Sequence, residues 1–346
     1  MSVIISLYRL KQTDASGTGK QFIECSRFLV KVIMVTKTDR PMWKTLSAFA
    51  IIYFLWGSTF LAIRVGVHEV PPLLFAAMRF LVAGIVLYSW MMARGERTPT
   101  RREWMSASLL AALIFVGDYG LLFWAEQRVP SGVAAVMMAT IPVFIALFEI
   151  ILLRTQRLTL RLTLALLIGI GGVVVLVSRS LNLGDAPISM VGAIALIFGS
   201  MSWSIASVLT RKLPLPASKA MSAGAQMLAG GVLLTVTAAG FGEFRGFQVA
   251  NVSGGAWLAL VYLIVAGSII GFTAYVWLIH HESPTKVGTY AYVNPVVAVI
   301  VGYFLGGEAL GLRTVLGTVF VLCSVVMITT TRARKPGEVV AAEEAV

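Results

Sequence analysis

The sequence predicts an all-α integral membrane protein of ten transmembrane helices, built as two inverted five-helix repeats. Composition comes first. Of 346 residues 58% are hydrophobic and 13% charged, with mean hydropathy +0.86, whereas a soluble domain carries about 25% charged residues. The second observation is a set of ten apolar runs separated by short polar connections. The third is internal recurrence: FWAEQRVPSGVAAVMMATIP at 123–142 has a counterpart in VWLIHHESPTKVGTYAYVNP at 276–295. Trp56 and Arg64 map onto Trp203 and Arg211 at an offset of 147, and Gln156, Leu158 and Arg161 onto Glu308, Leu310 and Arg313 at 152. The matches keep their order along the chain, as homologous halves must.

The first 44 residues form a basic tail carrying Arg9, Lys11, Lys20, Arg27, Lys31, Lys37, Arg40 and Lys44. They lack the compact apolar core of a signal peptide. Met34 stands just before the first span, and residues 1–33 are expected to be an upstream extension of a start at Met34. Spans of the roughly 20 residues that a bilayer requires are placed at 45–67, 71–93, 105–125, 131–153 and 161–178, then at 190–210, 219–241, 255–279, 286–306 and 309–331. Residues 45–178 make the first repeat, 190–331 the second and 332–346 a tail. Pro71 and Pro72 open the second span, and Pro214 and Pro216 lie in the linker before the seventh.

With the amino terminus inside, the cytoplasmic tails and loops hold 22 Lys and Arg against 4 opposite, namely Arg128, Arg179, Arg245 and Arg313. That asymmetry puts both termini in the cytoplasm. It also explains the net charge of +12 without a nucleic-acid partner. Five spans per repeat is an odd number, so the second copy enters from the opposite face, the arrangement that surrounds a midplane site in several transporters.

Ionisable residues inside spans are functional candidates, because burying charge in hydrocarbon costs at least about 2.5 kcal/mol. Arg79 falls roughly 12 Å and Asp118 roughly 10 Å from the outer face at 1.5 Å per residue, with Trp56 at a similar level. Two readings stand: an Arg79–Asp118 ion pair that fastens helices, or a site in which Arg79 meets a substrate carboxylate or Asp118 takes a proton. Gln226 maps onto Arg79 at the offset of 147 and, with Asn294, gives a polar lining on the other side of the pseudo-axis. Tyr119, Trp124, Trp203, Tyr275, Tyr290 and Tyr292 are expected either to line that passage or to anchor at the interfaces. Pro142 and Pro295 each remove a backbone hydrogen bond inside a span, as a packing kink or as a gate hinge. Glu149 reads as a snorkelling residue at the cytoplasmic surface, and Gly169, Gly171 and Gly172 as a close-packing run.

His280 and His281 are adjacent and lack the helical i, i+3 or i+4 spacing that facing ligands need, so no metal site is read. Cys25 and Cys323 make no disulfide framework. HExxH, a P-loop and a GxSxG elbow are all missing, so neither catalytic residues nor a cofactor are assigned. Transport would then be passive or driven by a gradient. A membrane-embedded enzyme and a channel are the alternatives.

WGSTFLAIRVGV at 56–67, PPLLFAAMRFLVAG at 71–84, FWAEQRVPSGVAA at 123–135 and SPTKVGTYAYVNPVVAVIVGYFLGGE at 283–308 together resemble the signatures of EamA-type carriers of the drug/metabolite transporter superfamily. The resemblance covers about residues 45–330. It implies a five-plus-five inverted repeat that exports small metabolites, amino acids or drugs through a central cavity, with a small-molecule substrate, the lipid bilayer and a proton or other counter-solute as partners. Members commonly carry Gly-Glu before the last helix of each half. Here that pair stands at Gly307 and Glu308, but the first half has Thr155 and Gln156.

Overall fold

A computed structural model of the chain describes residues 42–148, 150–151, 159–178, 189–210, 212–281 and 290–329, with some side chains at helix ends excepted. Outside this set lie residues 1–41 with the Met34 start, the tail at 332–346, Glu149, the Thr155–Gln156 pair, Arg179, Arg211, Pro284, and the side chains of His280, His281 and Tyr292. By contacts the chain divides into Met1–Thr45 and Leu46–Val346; everything that follows, apart from the first turn of one helix, concerns the second unit.

The described residues are helical, without strands, in ten rods. We number them α1 (Met42–Val67), α2 (Pro72–Ala93), α3 (Arg101–Glu126), α4 (Ser131–Phe148), α5 (Leu160–Val177), α6 (Met190–Thr210), α7 (Lys219–Gly240), α8 (Gly254–His281), α9 (Tyr290–Gly306) and α10 (Leu312–Thr329). Seven are long and apolar enough to cross a membrane, and α5, α9 and α10 supply shorter apolar helices.

Their starts follow from local chemistry. Pro72 opens α2 at the first turn, where its missing N–H has no partner to lose. Thr100 and Glu103 form a capping box on α3, and Arg97 pairs with Glu103 at 2.6 Å. Thr159, Ser218 and Ser253 cap α5, α7 and α8 through their hydroxyl oxygens. Helix α4 has no side-chain cap of its own.

Two rods change pitch at corresponding places. Helix α3 is π-helical over Ala112–Gly120 and α8 over Leu263–Ile270, so both halves widen the same helix. Helix α4 is interrupted at residues 139–140, just before Pro142, and the Thr140 hydroxyl donates to the Met137 carbonyl at 2.6 Å. Helix α9 runs unbroken through Pro295.

The halves meet at the crossing of α2 and α7. A Cβ on Gly84 would overlap the Leu228 amide nitrogen, and one on Gly231 would come within 2.5 Å of the Leu81 amide nitrogen. Residues 84 and 231, like 81 and 228, differ by 147, so the two contacts are repeat images of each other. Glycines also seat α5 on α10: Gly169 lies against Ser324 and Gly172 against Val321, whereas Gly171 faces open space. Large apolar side chains such as Phe54, Val174, Phe198, Val236 and Leu258 remain exposed on the outside of the bundle, the surface that a lipid-embedded protein presents.

Candidate functional site

The two π-helical stretches carry the centre of the site. A π-turn widens the backbone ring and turns side chains off the regular helical stripe, and such turns recur at functional positions. In α8 the stretch presents the Gly267 carbonyl to the Trp56 indole N–H at 3.0 Å and the Ser268 hydroxyl to Arg79 Nε at 3.1 Å. Gly267 also makes room: a Cβ there would stand 2.9 Å from Thr59 Cγ2 and 3.1 Å from Arg79 Nη2.

Arg79 is 3% exposed. Its guanidinium carbon lies 4.7 Å from the Phe80 ring centroid and 5.4 Å from that of Tyr119, within cation–π range. Its Nη1 has no hydrogen-bond partner. A buried guanidinium normally uses its donors, since an unmet one costs about 1–3 kcal/mol, more when charged. The site therefore holds an unpartnered guanidinium nitrogen, Nη1, within an aromatic wall.

The wall has two aromatic groups, bridged by Arg79 on Ser268 and Trp56 on Gly267. Tyr119 meets Trp203 edge to face at 6.0 Å, while Trp56 meets Tyr275 and Tyr290 at 5.2 Å each. Tyr275 and Tyr290 are themselves edge to face at 6.0 Å. Asn294 joins through its backbone oxygen, beside Gly57, and its amide, correctly oriented, donates to the Tyr290 and Tyr53 carbonyls at 3.2 Å. Trp56, Arg79, Tyr119, Trp203, Tyr275, Tyr290 and Asn294 are thus linked into one wall built by α1, α2, α3, α6, α8 and α9.

Two of the expected site residues stand apart. Asp118 is 2% exposed, yet no ion pair joins it to Arg79; among the described residues the ion pairs are Arg64–Glu308 and Arg97–Glu103. Its Oδ1 has no partner and faces Gly199 of α6, where a Cβ would lie 3.3 Å away. Within the π-helical stretch the two neighbours diverge: Tyr119 meets Arg79 and Trp203, while Asp118 turns to Gly199. The helix-fastening ion pair is not formed. Gln226 is half-buried and donates to Ser222 on its own helix at 3.0 Å. Trp124 stacks under the surface Arg128 at 3.9 Å.

A second polar cluster, which depth arithmetic does not pick out, sits at the end of the bundle where α3 finishes and α4 begins. Arg64 Nη1 donates to the Val129 carbonyl at 2.6 Å and more weakly to that of Glu126 at 3.4 Å, and its Nε lies 3.5 Å from Glu308 Oε1. Glu308 in turn accepts from the Ser131 amide at 2.6 Å and the Gly132 amide at 3.0 Å, so it supplies the cap that α4 lacks. Gly307, with φ 63°, makes the turn that brings Glu308 back to the Gly302 carbonyl at 3.0 Å. Glu126 is fully buried and neither carboxylate oxygen has a partner; the Ser131 hydroxyl is likewise unpartnered. At the same end Val67, Pro71, Pro72, Trp124, Gln127 and Glu243 help line a cleft of about 440 Å³.

Comparisons with known proteins agree on the kind of molecule. A model of the EamA-like transporter family matches residues 43–178 and again 190–330. The chain is 39% identical over 293 residues to the uncharacterized inner membrane transporter YedA of Escherichia coli K12, covering 84% of this chain and 92% of that protein. It is 27% identical to protein PecM of Dickeya dadantii, covering 79% and 88%, and 23% identical to the uncharacterized transporter YoaV of Bacillus subtilis, covering 85% and 99%. A protein solved by crystallography shares the fold with a TM-score of 0.56 at 24% identity, over 85% of this chain and 99% of that one.

Proposed function

Because the chain belongs to the EamA-like transporter family, and so is a membrane transporter of a small molecule, we propose that it is a secondary exporter of the cytoplasmic membrane working by alternating access. Its substrates are small metabolites, amino acids or drugs, and the arrangement at Arg79 favours one that carries a carboxylate. The observation that carries this reading is the unpartnered Nη1 of a buried Arg79 beside Tyr119. A carboxylate is the ligand that a guanidinium recognises best, and aromatic walls bind the apolar remainder of a small solute. Trp56, Tyr119, Trp203, Tyr275, Tyr290 and Asn294 are assigned to the binding surface, and Pro142 and Pro295 to the helix segments that bend around it. Gln226 is assigned to the passage rather than to the first contact. Asp118, held apart from Arg79, is assigned to coupling through a proton.

Two repeats, at 45–178 and 190–331, lie between a basic tail at 1–44 and a second tail at 332–346, with both termini cytoplasmic. The excess of Lys and Arg on that side supports the orientation, and the similarity to the inner membrane transporter YedA supports the inner membrane.

The test is binding followed by exchange. Thermal stabilisation of the purified protein across amino acids, nucleobase metabolites, sugars and cationic drugs should single out carboxylates, because a ligand of the native state raises the melting point. Counterflow of the labelled hit in proteoliposomes should then occur, as a carrier requires and a channel forbids. Stabilisation by uncharged or cationic solutes alone, or flux without counterflow, overturns the reading.

A further inference from the structure

The cluster at the α3–α4 end contains a buried acid that the substrate site does not use. Glu126 closes α3, is 0% exposed, and has no donor on either carboxylate oxygen. The charged groups in electrostatic reach of it are Glu308, Arg64 and Arg79. Helices α4 and α6, which pack against this end of α3, carry no charged residue over Ser131–Phe148 and Met190–Thr210. Of the two acids, Glu308 is already served by two backbone amides and Arg64. Glu126 has no hydrogen-bond partner on either carboxylate oxygen, and an ionised carboxylate is costly in a buried apolar site unless paired. In this arrangement it holds a proton.

Arg64 is placed to change partners. Its Nη1 already touches the backbone carbonyl of Glu126, so the side-chain carboxylate of that residue is within a rotamer change of the guanidinium. Arg64 also ties α1 to the α3–α4 turn through Val129 and to the α9–α10 connection through Glu308, which makes it the fastening of this end.

We propose that Glu126 is a proton-binding site that controls this fastening: while protonated it leaves Arg64 on Glu308, and on ionising it draws Arg64 to itself and loosens α1 from the α9–α10 connection. The proton leaves to water on the outer side, and the carboxylate left behind is neutralised by Arg64. Glu308 keeps its two α4 amides throughout, so no charge is stranded. The cleft beside Trp124 and Gln127 brings water to within a few residues of the acid. The inference goes beyond the substrate reading, and its test contains no substrate, so either can fail alone.

Infrared spectra of the purified full-length protein, stepped from acid to alkaline pH, report the carbonyl stretch of protonated carboxyls. Asp118→Asn is used as the background, so that the other buried acid with an unpartnered oxygen does not overlay the signal. A titrating band is expected there, lost in the added Glu126→Gln and moved in frequency in Glu126→Asp, which also covers a Gln variant that does not fold. A band of unchanged intensity in Glu126→Gln, or unmoved in Glu126→Asp, overturns the assignment. In a cysteine-free version of the same background, a reporter cysteine at the buried Val129 should react with maleimide faster as the band disappears. Relative to Glu126→Gln, which removes the intrinsic pH dependence of the thiol, the acceleration should be several-fold. Identical profiles in the two proteins overturn the link to the fastening.

Discussion

Arg79 of α2 and Tyr119 of α3 face each other, with the guanidinium carbon 5.4 Å from the ring centroid, while Asp118, one residue before Tyr119, turns to Gly199 instead. The cation is therefore held by rings and by one hydroxyl, and among the described residues no acid forms an ion pair with it. This arrangement can receive a negative group without first breaking an ion pair. Replacing Arg79 with Ala should lower apparent affinity for a carboxylate by roughly 10- to 100-fold, the worth of about 1.5–3 kcal/mol for a charge-assisted hydrogen bond. Insertion and yield should be unaffected. Arg79→Lys keeps the charge but loses the fork and should recover only part. Counterflow at graded substrate concentrations measures both.

Asp118→Asn is isosteric and should fit beside Gly199 without strain. If Asp118 carries the coupled proton, this variant loses the pH dependence of net flux and keeps exchange at near wild-type rate. Full retention of the pH dependence removes Asp118 from coupling.

Glu308 caps α4 and pairs with Arg64 from the far side of the sequence. Glu308→Ala should destabilise the protein by about 1–3 kcal/mol, since buried donors on α4 are left unmet. Glu308→Gln, which keeps one acceptor, should be milder. Melting of the two variants in the same detergent ranks them.

Glu69, in the turn after α1, accepts from the Ser253 hydroxyl at 2.7 Å and the Ser253 amide at 2.6 Å. Those bonds, the hydroxyl's first, hold its carboxyl below the ordinary carboxylate range. A folded-state pKa below the unfolded value contributes stability above the unfolded pKa, and that stability is lost as pH falls through the folded one. Glu69→Gln should melt below wild type at neutral pH, with the difference closing under acid conditions. A difference independent of pH contradicts the assignment.

Gly84→Ala and Gly231→Ala should each destabilise by about 1–3 kcal/mol through overpacking, because the atoms they meet are backbone. Gly171→Ala, in open space, is the neutral control.

Much of the architecture was legible because the bilayer imposes a length on apolar runs and a cost on charge. The ten spans were placed by that length, with ends that shift by a few residues where caps such as Thr100 and Ser253 set them. Arg79 stood out as a charge in mid-run. What failed to show was direction around the helix axis. Asp118 and Arg79 share a depth, and depth alone made them a pair, but the π-helical stretch at Ala112–Gly120 changes the register and has no compositional mark. Ser268 was invisible for the same reason, as one serine in an apolar run. Glu126, Arg64 and Glu308 sit at span ends, where charges are ordinarily cheap, so nothing in their spacing announced that Glu126 would be fully buried. The tyrosines and tryptophans left between lining and anchoring divide: Trp56, Tyr119, Trp203, Tyr275 and Tyr290 join the wall, while Trp124 lies under Arg128 near the surface.

The crossing of α2 and α7 is backbone on backbone, with Gly84 and Gly231 standing as images of each other. Side-chain contacts can slide, because rotamers give way; bare peptide planes in contact cannot. The α5–α10 crossing repeats the pattern, with a Cβ on Gly172 meeting the Val321 amide nitrogen at 2.9 Å, so the two halves are pinned to each other at two backbone-close points.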